Sequence, residues 1–237
     1  MTVLGTTQEE VIVWQLHIRL SMQFTSLVVC MQKILVNVII DLKTVLIMRV
    51  VIEKLTDWDL VKRAAFQTRN LKMIYPPTKE WIMKMLRAEH SPLRCLHFYI
   101  TFYDVPYFVH VHLVRHFMGL TPFVSTSRSD LTEVHDRSER SQTDLVNFSL
   151  DINAQAILNI SYKRLCNKAS EETHKLVQLL KEEMEKVDPY LAKMMVPACI
   201  HQGQCPEMES CGFYKTKSYN SWLELYHNLY HNLYEED

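Results

Sequence analysis

Two arginines and a row of hydroxyl groups lie close together in the segment of residues 112–130. The pair Arg115-His116 comes first, and an apolar segment then leads to a polar cluster made of Ser125, Thr126, Ser127 and Arg128. A guanidinium offers a rigid fork of donors, and hydroxyl groups adapt to phosphate or ring oxygens. The types and order of these side chains indicate a site for an anionic, planar ligand. A solvated helix face followed by a polar loop would have the same local composition.

The overall composition is that of an ordinary globular protein. The 237 residues are 48% hydrophobic and 22% charged, with a net charge of −1. This is enough chain for one sizeable core, and the charge gives no electrostatic basis for binding nucleic acid or an anionic membrane. Six cysteines are too few for a disulfide scaffold, and no secretory signal is visible. We therefore expect a cytoplasmic protein. The four glycines and twelve methionines indicate a helix-rich chain.

The chain divides into three predicted parts. Residues 1–47 are apolar and rich in β-branched side chains, but charged residues interrupt them, so a membrane-spanning helix is not expected. They are interpreted as an extension that packs on the domain, is poorly ordered or lies as a helix on a membrane surface. The regular pattern begins at Met48, which is a candidate natural start. Residues 48–213 form the predicted domain, and residues 214–237 form the predicted C-terminal tail.

The residues that follow the extension predict an alternation of strands and helices. A strand over Val50–Leu55 precedes a helix capped by Thr56, and a second helix covers Lys79–Ala88. The alternation of apolar and polar residues over 96–103 is typical of a half-buried strand. A helix from about Tyr107 to Gly119 then carries the Arg-His pair.

The second half of the chain is predicted to be mainly helical. Residues 129–152 are polar and charged and are interpreted as a loop or short helix. The longest helical pattern follows, over residues 153–189. Strands and helices in this order predict an α/β fold.

The order of the polar residues resembles the signatures of the flavin-dependent thymidylate synthases, the ThyX family. One family signature begins Arg-His-Arg and ends Ser-x-Arg, and the chain has Arg115-His116 and Thr126-Ser127-Arg128. The pair His90-Ser91 is similar to the family's His-x-Ser-type turn before a strand. A second family pattern is followed in order by Asn153-Ala154-Gln155-Ala156, Leu158-Asn159-Ile160, Arg164-Leu165-Cys166 and Ala169-Ser170-Glu171-Glu172. The resemblance covers about residues 48–211.

The resemblance implies both a fold and a reaction. The fold would be α/β (α+β), with a mixed sheet and long helices, in a homotetramer whose active sites are shared between subunits. The reaction would be the methylation of dUMP to dTMP, with carbon from methylenetetrahydrofolate, a hydride from reduced FAD, and NADPH as reductant. This chemistry needs no protein nucleophile. It requires a polarised pyrimidine and a flavin stacked within hydride reach.

The resemblance also implies roles for individual residues. Arg164 occupies the position of an arginine near the uracil carbonyls, where its charge would stabilise the developing anion, so it is the expected catalytic residue. The expected flavin contacts are His90, Ser91, Arg115, His116, Asn153 and Asn159. The expected nucleotide contacts are His112, Ser127, Arg128 and Arg164.

Departures from the family pattern keep other functions open. Phe117 and Gln155 stand where the family has arginines, and residues 129–152 are too few for a family insert that carries an arginine for the dUMP phosphate. That contact would then be absent, rebuilt from Arg137 or Arg140, or supplied by a neighbouring subunit. The alternatives are a related flavin enzyme acting on another pyrimidine nucleotide and a catalytically silent flavin- or nucleotide-binding protein.

Four cysteines are candidate metal ligands: Cys166, Cys199, Cys205 and Cys211. Thiolates bind zinc and iron–sulfur clusters, and the last three cysteines are evenly spaced. The spacing is not the tight Cys-x-x-Cys pattern, and reduced cysteines that pack in the protein are the alternative. Some synthases of the family end in a similar cysteine-containing run, which implies a structural role for this segment.

Overall fold

The computed structural model describes residues 48–126, 128 and 141–231. The predictions made for residues 1–47, for Ser127, Arg137 and Arg140, and for residues 232–237 lie outside these ranges. The described chain forms a sheet with helices packed against it, which confirms the predicted helix-rich α/β class.

The described sheet has four strands: β1 (Arg49–Lys54), β2 (His97–Pro106), β3 (Leu120–Val124) and β4 (Leu145–Asn153). Their order is β1-β2-β4-β3, and each neighbouring pair is antiparallel, so the sheet itself does not mix strand directions. In the two central strands, Phe98 lies opposite Ile152 and Ile100 lies opposite Leu150. These four side chains are almost completely buried. One face of the sheet therefore forms the core, because successive side chains of a strand point to opposite faces.

The described helices are α1 (Trp58–Gln67), α2 (Lys79–Ala88), α3 (Tyr107–Val114), α4 (Ala154–Arg164), α5 (Glu171–Val187), α6 (Pro189–Met194), α7 (Ala198–Gln202) and α8 (Lys217–His231). Helix α5 packs along β1 and against α6, and α8 packs on α2 and α7. The segment predicted as a tail is thus helical up to His231, and it buries Tyr219 and Tyr226. Within the described ranges, no helix has the length and apolar content needed to cross a membrane.

Helix α1 begins one residue later than the sequence predicted. The carboxylate of Asp57 accepts a hydrogen bond from the backbone N–H of Leu60, so Asp57 is the N-cap. The predicted cap, Thr56, instead donates its hydroxyl to the backbone oxygen of Cys95 and accepts from the N–H of His97. Its side chain therefore fixes the start of β2 instead of the start of α1.

Two predictions in the middle of the chain are corrected. Helix α3 ends at Val114 and not near Gly119, with Arg115 as its C-cap. The chain must reverse before β3, and Gly119 provides that reversal with a left-handed φ of +81°. The polar segment that was expected to be a loop or short helix contains β4, whose alternating burial matches its position between β2 and β3. Residues 165–170 also divide the long helical pattern into α4 and α5.

The buried side chain of Asp188 connects strand β1 and helix α1 to helix α6 by hydrogen bonds. This side chain is 1% exposed. One carboxylate oxygen accepts from Lys54 Nζ and from Trp58 Nε1, both at 2.8 Å, and the other accepts from the N–H of Leu191 at 3.0 Å. A buried carboxylate is tolerated when donors surround it, and here they come from β1, α1 and α6.

Candidate functional site

Arg164 is the last residue of α4, and the fold brings it against the end of α3. Its Nε donates to Nε2 of His116 at 3.1 Å, and its Nη2 donates to the backbone oxygen of His112 at 3.0 Å. The last carbonyls of a helix have no partner within that helix, and they favour a cation nearby. The two bonds fix the guanidinium between a ring nitrogen and a helix end.

The group around Arg164 carries an excess of positive charge. Burial, followed by the charges of Arg164, Arg115 and Lys163, lowers the pKa of His116 to about 4. Burial and then Arg115 also lower the pKa of Arg164. Among the described residues, neither arginine has a carboxylate within ion-pair distance. We call Arg115, His116 and Arg164 the cationic cluster, and its chemistry suits an anion.

His116 has a defined protonation state in this cluster. With a pKa of about 4 it is neutral at pH 7. Because its Nε2 accepts from Arg164, the ring proton is on Nδ1. The imidazole can therefore donate to a ligand through Nδ1 while it orients Arg164 through Nε2.

The side chain of His112 contacts α5. Its Nδ1 lies 2.8 Å from the hydroxyl of Thr173, which lies 2.8 Å from the hydroxyl of Ser170. Burial first, and then Arg164 and Arg115, lower the pKa of His112, so this ring is also neutral at pH 7. Thr173 is fully buried and was not predicted from the sequence. Nothing marks it apart from its place in the first turn of α5.

The predicted hydroxyl cluster lies beyond the exposed end of β3. The N–H of Ser125 donates to the backbone oxygen of Asn147 at 3.0 Å, which continues the pairing with β4. Arg128 is exposed, and its N–H donates to the hydroxyl of Thr126 at 3.2 Å. Within the described residues, Arg164 makes no hydrogen bond to this loop. The structure therefore brings together the Arg-His pair and Arg164.

Glu89, which directly precedes the predicted pair His90-Ser91, is the centre of a second polar cluster. It is the C-cap of α2 and has a left-handed φ of +47°. Its Oε2 accepts from Gln155 Nε2 at 2.5 Å, and its Oε1 accepts from Tyr162 Oη at 2.5 Å. His201 Nε2 lies 3.2 Å from the same Oε1. The carboxylate thus connects α2 to α4 and α7.

His201 extends this second cluster to α8. Its Nδ1 lies 2.9 Å from the hydroxyl of Tyr226, and its ring stacks on Tyr162 with the ring centres 4.4 Å apart. Burial lowers the pKa of His201, which Glu89 raises and Arg87 lowers to smaller extents. Nε2 faces a carboxylate oxygen and therefore donates to Glu89, and in the neutral form of the ring Nδ1 accepts from Tyr226. Sequence reasoning missed this cluster, because its members are far apart in the chain and fit no motif.

The remaining predicted flavin contacts have different surroundings. Asn153 is buried and caps α4, with its Oδ1 accepting from the N–H of Ala156 at 3.0 Å. Asn159 is exposed, and its Oδ1 lies 3.5 Å from Gln155 Nε2. His90 and Ser91 are exposed at the start of a 3-10 helix, Ser91–Cys95. Asn159 is therefore linked through Gln155 to Glu89, and not directly to the cationic cluster.

The four candidate metal ligands line one cavity of about 10 Å³, which is roughly the volume of one water-sized probe. Burial, and then the neighbouring thiols, raise the pKa of Cys199 to about 11, and burial raises the pKa of Cys166. In the described part of the chain, no three His, Cys, Asp or Glu side chains are placed so that they could hold a metal ion. The fold gathers the cysteines, and metal binding stays a prediction.

Comparison with known proteins finds similarity in fold. No sequence-family model and no curated protein match the chain. Two structures of ThyX from Helicobacter pylori with FAD and dUMP match it with a TM-score of 0.50 and 15% sequence identity, covering 63% and 62% of this chain and 99% of the Helicobacter chain. A UMP/dUMP methylase, PolB from Streptomyces cacaoi, matches with a TM-score of 0.45 and 13% identity, covering 62% of this chain and 94% of that chain.

The protein has a ThyX-like fold. Almost the whole length of the Helicobacter pylori chain has a counterpart here, so the similarity extends over that entire fold and not only over one motif. At 15% identity the fold alone is shown. The predicted α/β architecture is therefore confirmed, and the assignment of individual residues to a flavin or a nucleotide stays a prediction.

Proposed function

We propose that this protein is a flavin-dependent enzyme of the thymidylate-synthase type, which methylates dUMP to dTMP with FAD, methylenetetrahydrofolate and NADPH. The observation that carries the proposal is the cationic cluster, which joins Arg115 and His116 from the end of α3 to Arg164 from the end of α4. The Helicobacter pylori structures of the same fold contain FAD and dUMP, both of which are anionic. Two guanidiniums that have no carboxylate within ion-pair distance among the described residues fit such ligands.

Arg164 is the proposed catalytic residue. Two of its N–H donors are used by His116 and His112, which leaves three of the five guanidinium donors for a ligand. Its charge would stabilise the negative charge that develops on the pyrimidine when C5 attacks, and its fixed orientation means that little reorganisation is needed. FAD, when bound, would supply the hydride chemistry.

The other site residues follow the same proposal. We assign the flavin contacts to His90, Ser91, Arg115, His116, Asn153 and Asn159. We assign the nucleotide contacts to His112, Ser127, Arg128 and Arg164. A ligand contact of His112 would use its Nε2, because Nδ1 is hydrogen-bonded to Thr173. Asn153 serves as a helix cap through Oδ1, so a ligand contact would use its Nδ2.

The proposed cytoplasmic enzyme is a homotetramer with shared sites. Phe117 and Met118, which directly follow the cationic cluster, are 76% and 74% exposed. Large apolar side chains beside a binding site are typical of a surface that a partner covers. Light scattering after size exclusion tests this assembly, and a monomer at micromolar concentration would contradict it.

Zinc bound by Cys166, Cys199, Cys205 and Cys211 is a separate part of the proposal. It is supported by their common cavity. The thiols would have to lose their protons and move together, because no three described ligands are now placed to share an ion. Elemental analysis of the purified protein measures the zinc directly. Less than roughly a tenth of an equivalent per chain, against the single equivalent of a four-thiolate site, would end this part.

The decisive experiment supplies purified protein with FAD, NADPH, methylenetetrahydrofolate and dUMP. We expect a flavin absorption band at about 450 nm, formation of dTMP, and growth of a thymidine-requiring strain that expresses the protein. A protein that binds flavin without forming dTMP would contradict the synthase and keep the flavin assignment. A protein that binds no flavin would contradict both.

A related flavin enzyme acting on another pyrimidine nucleotide is the second candidate. The observation that favours it is Gln155, which stands at a family arginine position and is bonded to Glu89. A neutral amide in place of a guanidinium changes the charge that the site presents to its ligand. Turnover of other pyrimidine nucleotides, measured under the same conditions as dUMP, separates the two candidates.

A further inference from the structure

We infer that Glu89 is a positioning residue that determines which end of the Asn159 amide faces the flavin. This inference rests on the proposed function for the identity of the ligand. The arrangement itself is a chain of three side chains from two helices: the carboxylate of Glu89 at the end of α2, and the amides of Gln155 and Asn159 on α4.

The first link fixes the orientation of Gln155. An ionised carboxylate only accepts hydrogen bonds, so the Gln155 group that meets Glu89 Oε2 must be the NH₂. The opposite orientation would place two oxygens against each other. The other oxygen of Glu89 is already occupied by Tyr162 and His201, which keeps the carboxylate in place.

The second link passes this orientation to Asn159. The same Nε2 of Gln155 carries a second hydrogen, and it lies 3.5 Å from Asn159 Oδ1. The oxygen of Asn159 is thereby turned toward Gln155, one helical turn away. Its NH₂ is left to donate, and within the described residues it has no protein acceptor. A flavin or another ligand at Asn159 would therefore meet a donor and not an acceptor.

This arrangement explains why a glutamine is compatible with a binding site at a position where the resembled family has an arginine. Gln155 contributes no charge to the ligand and acts through Asn159. Glu89 lies next to His90 and Ser91 in the chain, and its bonds to α4 hold that turn beside the Asn159 side of the helix. The Glu89 carboxylate thus connects the turn at His90 and Ser91 to Asn159, two parts of the proposed flavin surface that lie outside the cationic cluster.

The test compares Glu89→Gln with Tyr162→Phe. Glu89→Gln keeps the shape but leaves a single acceptor oxygen, which is favoured on the side of the two donors Tyr162 and His201. The new NH₂ then faces Gln155 and cannot accept from it, so the Gln155 and Asn159 amides lose their fixed orientation. We expect FAD affinity, measured by flavin fluorescence, to fall roughly tenfold in Glu89→Gln. Tyr162→Phe removes a donor to Oε1 and leaves the Oε2–Gln155 bond, so we expect its affinity to stay within about twofold of the unmodified protein.

A double variant shows whether the effect passes through Gln155. Gln155→Leu alone should weaken FAD binding as much as Glu89→Gln, and the double variant should bind no more weakly than either single variant, because one pathway can be lost only once. Additive losses in the double variant would overturn the inference. Equal FAD affinity in Glu89→Gln and in the unmodified protein would overturn it as well.

A readout without ligand separates this inference from the proposed function. The side-chain amide signals of Asn159 in nitrogen-15 NMR, identified by their loss in Asn159→Asp, should shift in Glu89→Gln and not in Tyr162→Phe. If the unmodified protein binds no FAD, the proposed function is wrong, and the NMR comparison still decides the orientation of Asn159. Unchanged Asn159 signals in folded Glu89→Gln, with folding checked by circular dichroism, would refute the positioning role.

Discussion

Acidification should destabilise this protein through His116, and replacing Arg164 by glutamine should reduce that sensitivity. The ordinary pKa of the histidine is 6.5, and burial with three nearby cations lowers it to about 4 in the folded state. Between these two pH values the unfolded chain binds a proton that the folded chain does not. His116 therefore contributes no penalty above about pH 6.5, and stability is lost progressively as the pH falls toward 4.

The magnitude follows from the size of the pKa shift. The difference of 2.5 units between 6.5 and about 4 corresponds to an upper limit of about 3.4 kcal/mol. The imidazole is only half-buried and solvent screens its surroundings, so we expect about 1–2 kcal/mol. In Arg164→Gln one of the three cations is removed while the burial remains. The pKa of His116 should then rise and stay below 6.5.

The assay combines an NMR titration of the His116 ring with urea unfolding at pH 7, 5.5 and 4.5. His116→Asn is the matched control, because it removes the titrating group and should flatten the loss of unfolding free energy over this range by about 1–2 kcal/mol. The reasoning is refuted if His116 titrates near its ordinary pKa in the unmodified protein. It is also refuted if Arg164→Gln lowers that pKa further.

Three other predictions test the site and the packing around it. Arg164→Lys keeps the charge but loses the planar pair of guanidinium donors, so the rate of dTMP formation should fall by a factor of roughly 10²–10³ while the protein stays folded. Retention of full activity would exclude the catalytic assignment. Asp188→Ala removes three hydrogen bonds from a buried position and should cost about 3–5 kcal/mol of unfolding free energy, measured by thermal melts. Gly119→Ala should cost about 2–3 kcal/mol, since its new Cβ would lie 2.6 Å from Asn153 Nδ2 at a φ of +81°. Gly203→Ala, with φ +73° and open space around it, should cost only about 1 kcal/mol in the same thermal melts, and equal losses at the two glycines would show that the Asn153 contact is unimportant.

Much of the fold was predictable because it depends on short-range patterns. The alternation around Phe98 and Ile100 identifies a half-buried strand, and the bounds of helix Lys79–Ala88 follow from its cap and its apolar spacing. Strand β4 was missed because its exposed face carries polar residues and its other face is buried only when it lies between β2 and β3. Local composition cannot show that neighbourhood.

The sequence alone determined the types and the order of the chemical groups. Arg115, His116 and Arg164 were identified as candidates because their order along the chain resembles the family signatures, and that order can be read without a structure. Only the tertiary structure decided which of them meet. It brought Arg164 within hydrogen-bond distance of His116.

The tertiary structure also decided the charge state and orientation of the site. The low pKa of His116 depends on burial and on cations that lie up to 48 residues away in the chain. The position of Glu89 between α2, α4 and α7 likewise depends on how those helices pack. The amino-acid sequence determines which groups can titrate, donate and accept. Their pKa values and hydrogen-bond partners depend on distances and desolvation, because electrostatic energies vary with separation and with the surrounding medium.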